Sequence, residues 1–279
     1  MLLELAIGDA YGAGFEYADE NILANDLSRY VQHPRHRLIP GSYTDDTQMS
    51  IAIAEVLVSR APWTPQVLAD KFVQVFKRDQ REGYAKKFYQ FLQSVNNGEE
   101  FLERIQPHSD KSGAAMRAAP IGVYSTPEKV IEAATVQAAI THNTPDGINA
   151  AVAAALMSHY FIYQHGTKRK LGQFLEGFVS GEWSKPWRGE VKAQGWMSVR
   201  AAVTAIMRND SLSEILQDCI NFTGDVDTVG AIALGGASCS EEIVQDIPEH
   251  LILTLENGAY GRDFIIDLDK QLMSLVGKI

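Results

Sequence analysis

Two strings of paired carboxylates carry the clearest chemical signal in the sequence. Ser42-Tyr43-Thr44-Asp45-Asp46-Thr47-Gln48 sets two aspartates among hydroxyls, and Thr223-Gly224-Asp225-Val226-Asp227-Thr228-Val229-Gly230 repeats the arrangement about 180 positions later. Each string opens an apolar stretch. One alone is also what a capped helix start looks like, with a hydroxyl at the cap and acidic residues at the positive end of the helix dipole. Two ask for more, because a cap needs one acidic residue and four carboxylates brought together repel unless a cation neutralises them. Hard divalent cations take oxygen ligands. Thr44, Asp45, Asp46, Asp225, Asp227 and Thr228 offer six. That is too many for one Mg²⁺ that keeps waters, and it suits two metals sharing bridging carboxylates.

The elements that must position these strings read as helices. Asp46–Ser59 carries Met49, Ile53, Val56 and Leu57 on one face, at helical spacing. Pro65–Phe76 repeats the pattern behind a Thr64 cap, with proline at the first helical position. Tyr84–Val95, Pro127–Ile140, Gly147–Tyr163, Leu171–Val179, Val199–Met207, Leu212–Ile220, Val226–Ala237 and Phe264–Val276 follow. Asn97-Gly98 reads as a helix C-cap. No long apolar–polar alternation and no β/α alternation is present, so the expected fold is all-α. Ala18–Tyr43, Asp79–Gly83, Pro107–Gly113 and Ser180–Gln194 read as loops. With no linker, low-complexity tract or internal repeat, residues 1–279 are expected to form one compact multi-helix domain.

Composition excludes several classes. The chain has 279 residues, 46% hydrophobic, which is enough for a large core and too apolar for disorder. No apolar run approaches the ~18–20 residues of a membrane helix. Cys219 and Cys239 cannot build a disulfide scaffold, and no CxxC pair suggests structural zinc. A net charge of −10 argues against wrapping nucleic acid or lying on an anionic membrane. The N-terminal segment has no basic region or cleavage site, so the expectation is a cytoplasmic protein with reduced cysteines and no membrane partner. A monomer is expected.

Further strings join the acidic pair in a fixed order: Ile7-Gly8-Asp9-Ala10-Tyr11-Gly12, then Ser112-Gly113-Ala114-Ala115-Met116-Arg117-Ala118-Ala119-Pro120-Ile121-Gly122, Thr141-His142-Asn143-Thr144-Pro145 and Tyr260-Gly261-Arg262-Asp263. Together with the two carboxylate strings they resemble the motifs of the ADP-ribosylglycohydrolases across nearly the whole chain. The resemblance implies an all-α fold with a two-metal centre of Mg²⁺ or Mn²⁺, and hydrolysis of the bond that links ADP-ribose to a side chain of a protein or small molecule. It implies that Thr44, Asp45, Asp46, Asp225, Asp227 and Thr228 are metal ligands. Glu16 then matches an acidic residue near the metals, and Asp110 a candidate general base. Ser112, Gly113, Ala114, Ala115 and Met116 match the loop on the diphosphate and distal ribose, and His142 a ligand-side histidine.

Two positions depart from the family pattern: Lys111-Ser112 replaces its usual asparagine, and Thr144 replaces the second histidine of its THxHP motif. Lys111 in that place could meet a phosphate. Backbone N–H groups at Gly113–Ala115, opening a helix over Ala114–Arg117, are expected to hold the diphosphate. Trp196, Tyr260, Phe15 and Tyr43 are candidates to stack on the adenine, while Trp183, Trp187 and Trp196 are also read as ordinary packing. ADP-ribosylarginine is the first expected substrate. The alternatives are an O-linked, serine-type adduct, or a non-catalytic ADP-ribose-binding or structural protein on the same fold.

Overall fold

The computed structural model describes residues 1–279, and every regular element in it is helical. The α-helices are α1 (Leu2–Gly12), α2 (Asp45–Ser59), α3 (Pro65–Arg78), α4 (Lys86–Ser94), α5 (Gly98–Arg104), α6 (Pro127–Ala139), α7 (Pro145–Ile162), α8 (Leu171–Glu176), α9 (Gly195–Arg208), α10 (Leu212–Asn221), α11 (Val226–Ala237), α12 (Glu249–Thr254) and α13 (Arg262–Met273). Short 3-10 turns fill Asp19–Ala24, Ser112–Ala114, Ala119–Val123 and Lys168–Lys170. No helix is long and apolar enough to cross a membrane.

Local chemistry explains the starts. Thr64, Thr126 and Thr144 each accept a backbone N–H three residues on, and each precedes a proline at the first helical position. Asn97 is an N-cap, not a C-cap: its side chain accepts from the Glu100 amide and opens α5. That corrects the sequence reading, since a helix of seven residues leaves too little periodicity to see. α4 begins at Lys86, two residues past Tyr84, which is buried in the core and donates its hydroxyl to Gln48 Oε1 at 2.7 Å.

α11 is the axis of the fold. All twelve of its residues are buried, and α1, α9 and α10 pack around it. α1 crosses it backbone to backbone at Gly8 and Gly230. One contiguous cluster of 81 buried apolar residues makes the core. The N-terminal ends of α2 and α11 meet the C-terminal half of α1 inside it, so both carboxylate strings are delivered to one place.

Candidate active site

Asp9 is the hub. Its carboxylate accepts the Thr44 amide at 2.9 Å and hydroxyl at 2.8 Å, and the Thr47 amide at 3.0 Å and hydroxyl at 2.5 Å. Thr44 is therefore the N-cap residue of α2 without a capping side chain, because its hydroxyl is turned to Asp9. Asp9 fixes where α2 begins and hence where Asp45 and Asp46 stand. Sequence reasoning gave this residue no role. Its Gly8-Asp9-Ala10 context was the available signal.

The second string is aimed by a tight turn. Thr223 and Gly224 both have positive φ, 62° and 88°. A Cβ on Gly224 would stand 1.9 Å from the Val191 carbonyl oxygen, so only glycine fits. Val191 donates to Thr223 and accepts from the Asp225 amide, each at 2.9 Å. Asp225 and Asp227 are thereby placed at the mouth of α11, with Gly12 of α1 against the Asp227 backbone.

Glu16 completes the group. One oxygen each of Glu16, Asp225 and Asp227 lies within 4.8 Å of the others. The segment carrying Glu16 is pinned by His33, whose Nε2 donates to the Glu16 carbonyl at 2.9 Å while its Nδ1 accepts from the Arg35 and His36 amides.

Burial and mutual repulsion raise the carboxylate pKa values. Burial is the first cause in every case. Asp45 and Asp46 are held well above the ordinary range by burial and then by Asp9; Asp227 by burial and then by Glu16 and Asp46. Glu16 is pushed up to about 7 by burial and then by Asp225 and Asp9. Burial raises Asp225 as well, opposed by hydrogen bonding that includes the Ser198 hydroxyl at 3.4 Å. Asp46 Oδ2 is a fully buried oxygen with no hydrogen-bond partner. Five carboxylates of this kind, all oxygen donors with an orphaned atom among them, fit hard divalent cations.

Ser112, at the head of the Ser112–Ala115 turn, lies beside Asp225. The structure corrects one expectation here. Ser112–Ala114 is a single 3-10 turn, not the start of a helix over Ala114–Arg117, so no helix dipole is available. The Ser112 carbonyl takes the Ala115 and Met116 amides, and no carbonyl accepts from Gly113 or Ala114. His142 closes the other side, with a Cβ on Gly113 placed 3.0 Å from its Cε1.

Other expected residues are distributed around this centre. Lys111 is exposed and Asp110 half-buried, 3.7 Å apart, with no hydrogen bond to the buried carboxylates. Lys111 bridges to Gln194, and Gly195 packs on the Lys111 carbonyl. That contact sets Trp196 beside the turn, where it lines a cavity of about 290 Å³ with Asp146, Asn149, Trp183, Glu182 and Arg200. Phe15 and Tyr43 are core residues, and Tyr260 is covered by the Arg78 guanidinium at 4.0 Å. Trp187 packs edge-on against Trp196 at 5.8 Å.

The chain is 22% identical over 249 residues to the ADP-ribosylarginine hydrolase Tri1 of Serratia proteamaculans, covering 82% of this chain and 67% of that protein. It is 26% identical over 276 residues to the ADP-ribosyl-dinitrogen reductase glycohydrolase of Rhodospirillum rubrum, covering 91% and 88%. Against the ADP-ribosylhydrolase ARH3 of Homo sapiens it is 27% identical over 239 residues, covering 75% and 65%. Among solved structures, an ADP-ribosylglycohydrolase-related protein complex shares the fold at a TM-score of 0.74 and 23% identity, covering 99% of this chain and 96% of that one. The family model for ADP-ribosylglycohydrolase matches residues 1–278, and the chain belongs to that family of hydrolases.

Proposed function

We propose that this glycohydrolase releases ADP-ribose from ADP-ribosylarginine, using two divalent cations, Mg²⁺ or Mn²⁺. The observation that carries the reading is the buried carboxylate cluster, with Asp46 Oδ2 orphaned, in contact with the Ser112–Ala115 turn. The arginine assignment draws on the name of the Serratia relative, an ADP-ribosylarginine hydrolase.

Thr44, Asp45, Asp46, Asp225, Asp227 and Thr228 would hold the cations. When bound, these supply Lewis acidity and lower the pKa of water toward neutrality. The chain's own residues do the rest. Asp9 fixes the start of α2, and Ser198 steadies Asp225. The unpaired Gly113 and Ala114 amides, with Lys111 outside them, suit a diphosphate. Trp196 offers a ring for the adenine at the edge of the cavity, where Asp146 and Asn149 supply polar atoms.

Hydrolysis forms a bond from a water oxygen to the anomeric carbon and breaks the carbon–nitrogen bond to the guanidine, through an oxocarbenium-like state. Glu16, a half-buried carboxylate with an oxygen within 4.8 Å of those of Asp225 and Asp227, accepts the water's proton and returns it to the departing guanidine.

The test is a panel of peptides ADP-ribosylated on arginine or serine, incubated with Mg²⁺ or Mn²⁺, with free ADP-ribose as readout. Release from arginine peptides supports the proposal. Release from serine peptides alone assigns the O-linked class, and ADP-ribose binding without release from either assigns a binding protein.

A further inference from the structure

A buried guanidinium lies behind the ligand-facing turn. Arg117 is 1% exposed, lies over the Phe72 ring at 4.5 Å, and hydrogen-bonds to Gln137 and Thr141 without a carboxylate partner. Arginine can only donate, so its bonds set the polarity of whatever they reach. Gln137 Oε1 accepts from Arg117 Nε at 2.7 Å. The amide's nitrogen must then point the other way, and it donates to the Ala114 carbonyl at 3.0 Å, inside the turn. Thr141 Oγ1 accepts from Arg117 Nη2 at 2.9 Å. The hydroxyl has one other partner, His142 Nδ1 at 2.6 Å, and it is fully paired only when its proton goes there. A ring that accepts at Nδ1 and is neutral carries its own proton on Nε2. Nε2 has no partner within the protein, and a Cβ on Gly113 would stand 3.3 Å from it.

We propose that Arg117 and Thr141 are positioning residues that hold neutral His142 as an Nε2–H donor to an oxygen of ADP-ribose bound at the Ser112–Ala115 turn. The inference rests on the ADP-ribose reading above. Burial and the nearby guanidinium keep the imidazole uncharged, with its pKa pushed down to about 3. His142 therefore contributes a directed N–H and no charge. One cation orients both sides of the turn, through Gln137 to Ala114 and through Thr141 to His142.

The experiment combines nitrogen-15 NMR of the His142 ring at neutral pH, assigned with a His142→Asn variant, and calorimetric titration of ADP-ribose. Wild type, Thr141→Val and Thr141→Ser are compared after their thermal unfolding has shown that each folds. The expected wild-type ring is the Nε2–H tautomer. Thr141→Val mixes the tautomers and weakens ADP-ribose binding about five- to twentyfold, the scale of one lost hydrogen bond in a buried site. Thr141→Ser keeps the tautomer and binds within about twofold of wild type. An Nδ1–H ring or an imidazolium in the wild type overturns the proposal, as does a Thr141→Val variant with a changed tautomer and unchanged affinity. A wild-type protein with the expected tautomer that does not bind ADP-ribose contradicts the ligand reading and leaves the hydrogen-bond relay standing.

Discussion

Gly8 and Gly230 face each other where α1 crosses α11: a Cβ on Gly8 would stand 2.4 Å from the Gly230 carbonyl oxygen, and one on Gly230 would stand 2.8 Å from that of Gly8. The obstructing atoms are backbone, which cannot swing aside. This crossing brings Asp9 next to the mouth of α11. Gly8→Ala is therefore expected to lower stability by about 1–3 kcal/mol, the usual cost of overpacking a close contact. Gly258→Ala, where nothing lies within 4 Å, serves as a control and should unfold near the wild-type temperature. Equal unfolding temperatures for the two variants would show that the helices can separate freely.

Asp9 gives a second prediction. Asn in its place puts an amide nitrogen among four donors, from Thr44 and Thr47, that now have one carboxylate to bond. With saturating Mg²⁺, Asp9→Asn should cost about 1.5–3 kcal/mol, the scale for hydrogen bonds to a charged group. Cation affinity should fall with it, because α2 loses the anchor of Asp45 and Asp46. Calorimetric Mg²⁺ titration and thermal melts read both effects, and unchanged values in both would remove Asp9 from the site.

The two carboxylate strings and most long helices are legible in the sequence because their signals are local. Thr64-Pro65, Thr126-Pro127 and Thr144-Pro145 announce their helices within two residues. α1 was not assigned, because it is apolar on nearly every side and shows no periodic face. The hub role of Asp9 was hidden for a different reason. Its donors lie 35 and 38 positions away, and a lone aspartate in an apolar run names no partner. The turn at Ser112–Ala114 was read as a helix start because small residues there suit either form.

Cation removal should reverse the pH dependence of stability. In the chelated protein, Glu16, Asp45, Asp46 and Asp227 have folded-state pKa values above their unfolded ones. The folded state then binds more protons, and its stability falls as pH rises through the folded-state values. For Glu16 that value is about 7. Unfolding temperature in EDTA should therefore rise as pH is lowered from about 8 to about 5. With Mg²⁺ or Mn²⁺ the gain should shrink or invert, because protons compete with the cation. Parallel melting curves in both conditions would contradict a cation site at these carboxylates.

Trp196 and Lys111 should separate the two ends of the ligand. Trp196→Ala is expected to cost about 1–3 kcal/mol in ADP-ribose binding, the scale of one base–aromatic stack, and to leave ribose 5-phosphate binding unchanged. Lys111→Ala should weaken ADP-ribose about two- to fivefold, with the loss shrinking at high salt, because its ammonium is exposed and screened. Calorimetry with both ligands at two salt concentrations checks the pair. Equal losses of both ligands in Trp196→Ala would place the adenine elsewhere.

The central claim, that buried carboxylates and divalent cations together cleave the ADP-ribosyl bond, is tested most directly by single-turnover release of ADP-ribose from an ADP-ribosylarginine peptide. Wild type and Asp227→Asn are compared in Mg²⁺ or Mn²⁺ and in excess EDTA. The account predicts release by the wild type with cation, none in EDTA, recovery when cation is restored, and a rate several orders of magnitude lower in a folded Asp227→Asn. Full-rate release in EDTA, or wild-type turnover by Asp227→Asn, would contradict it.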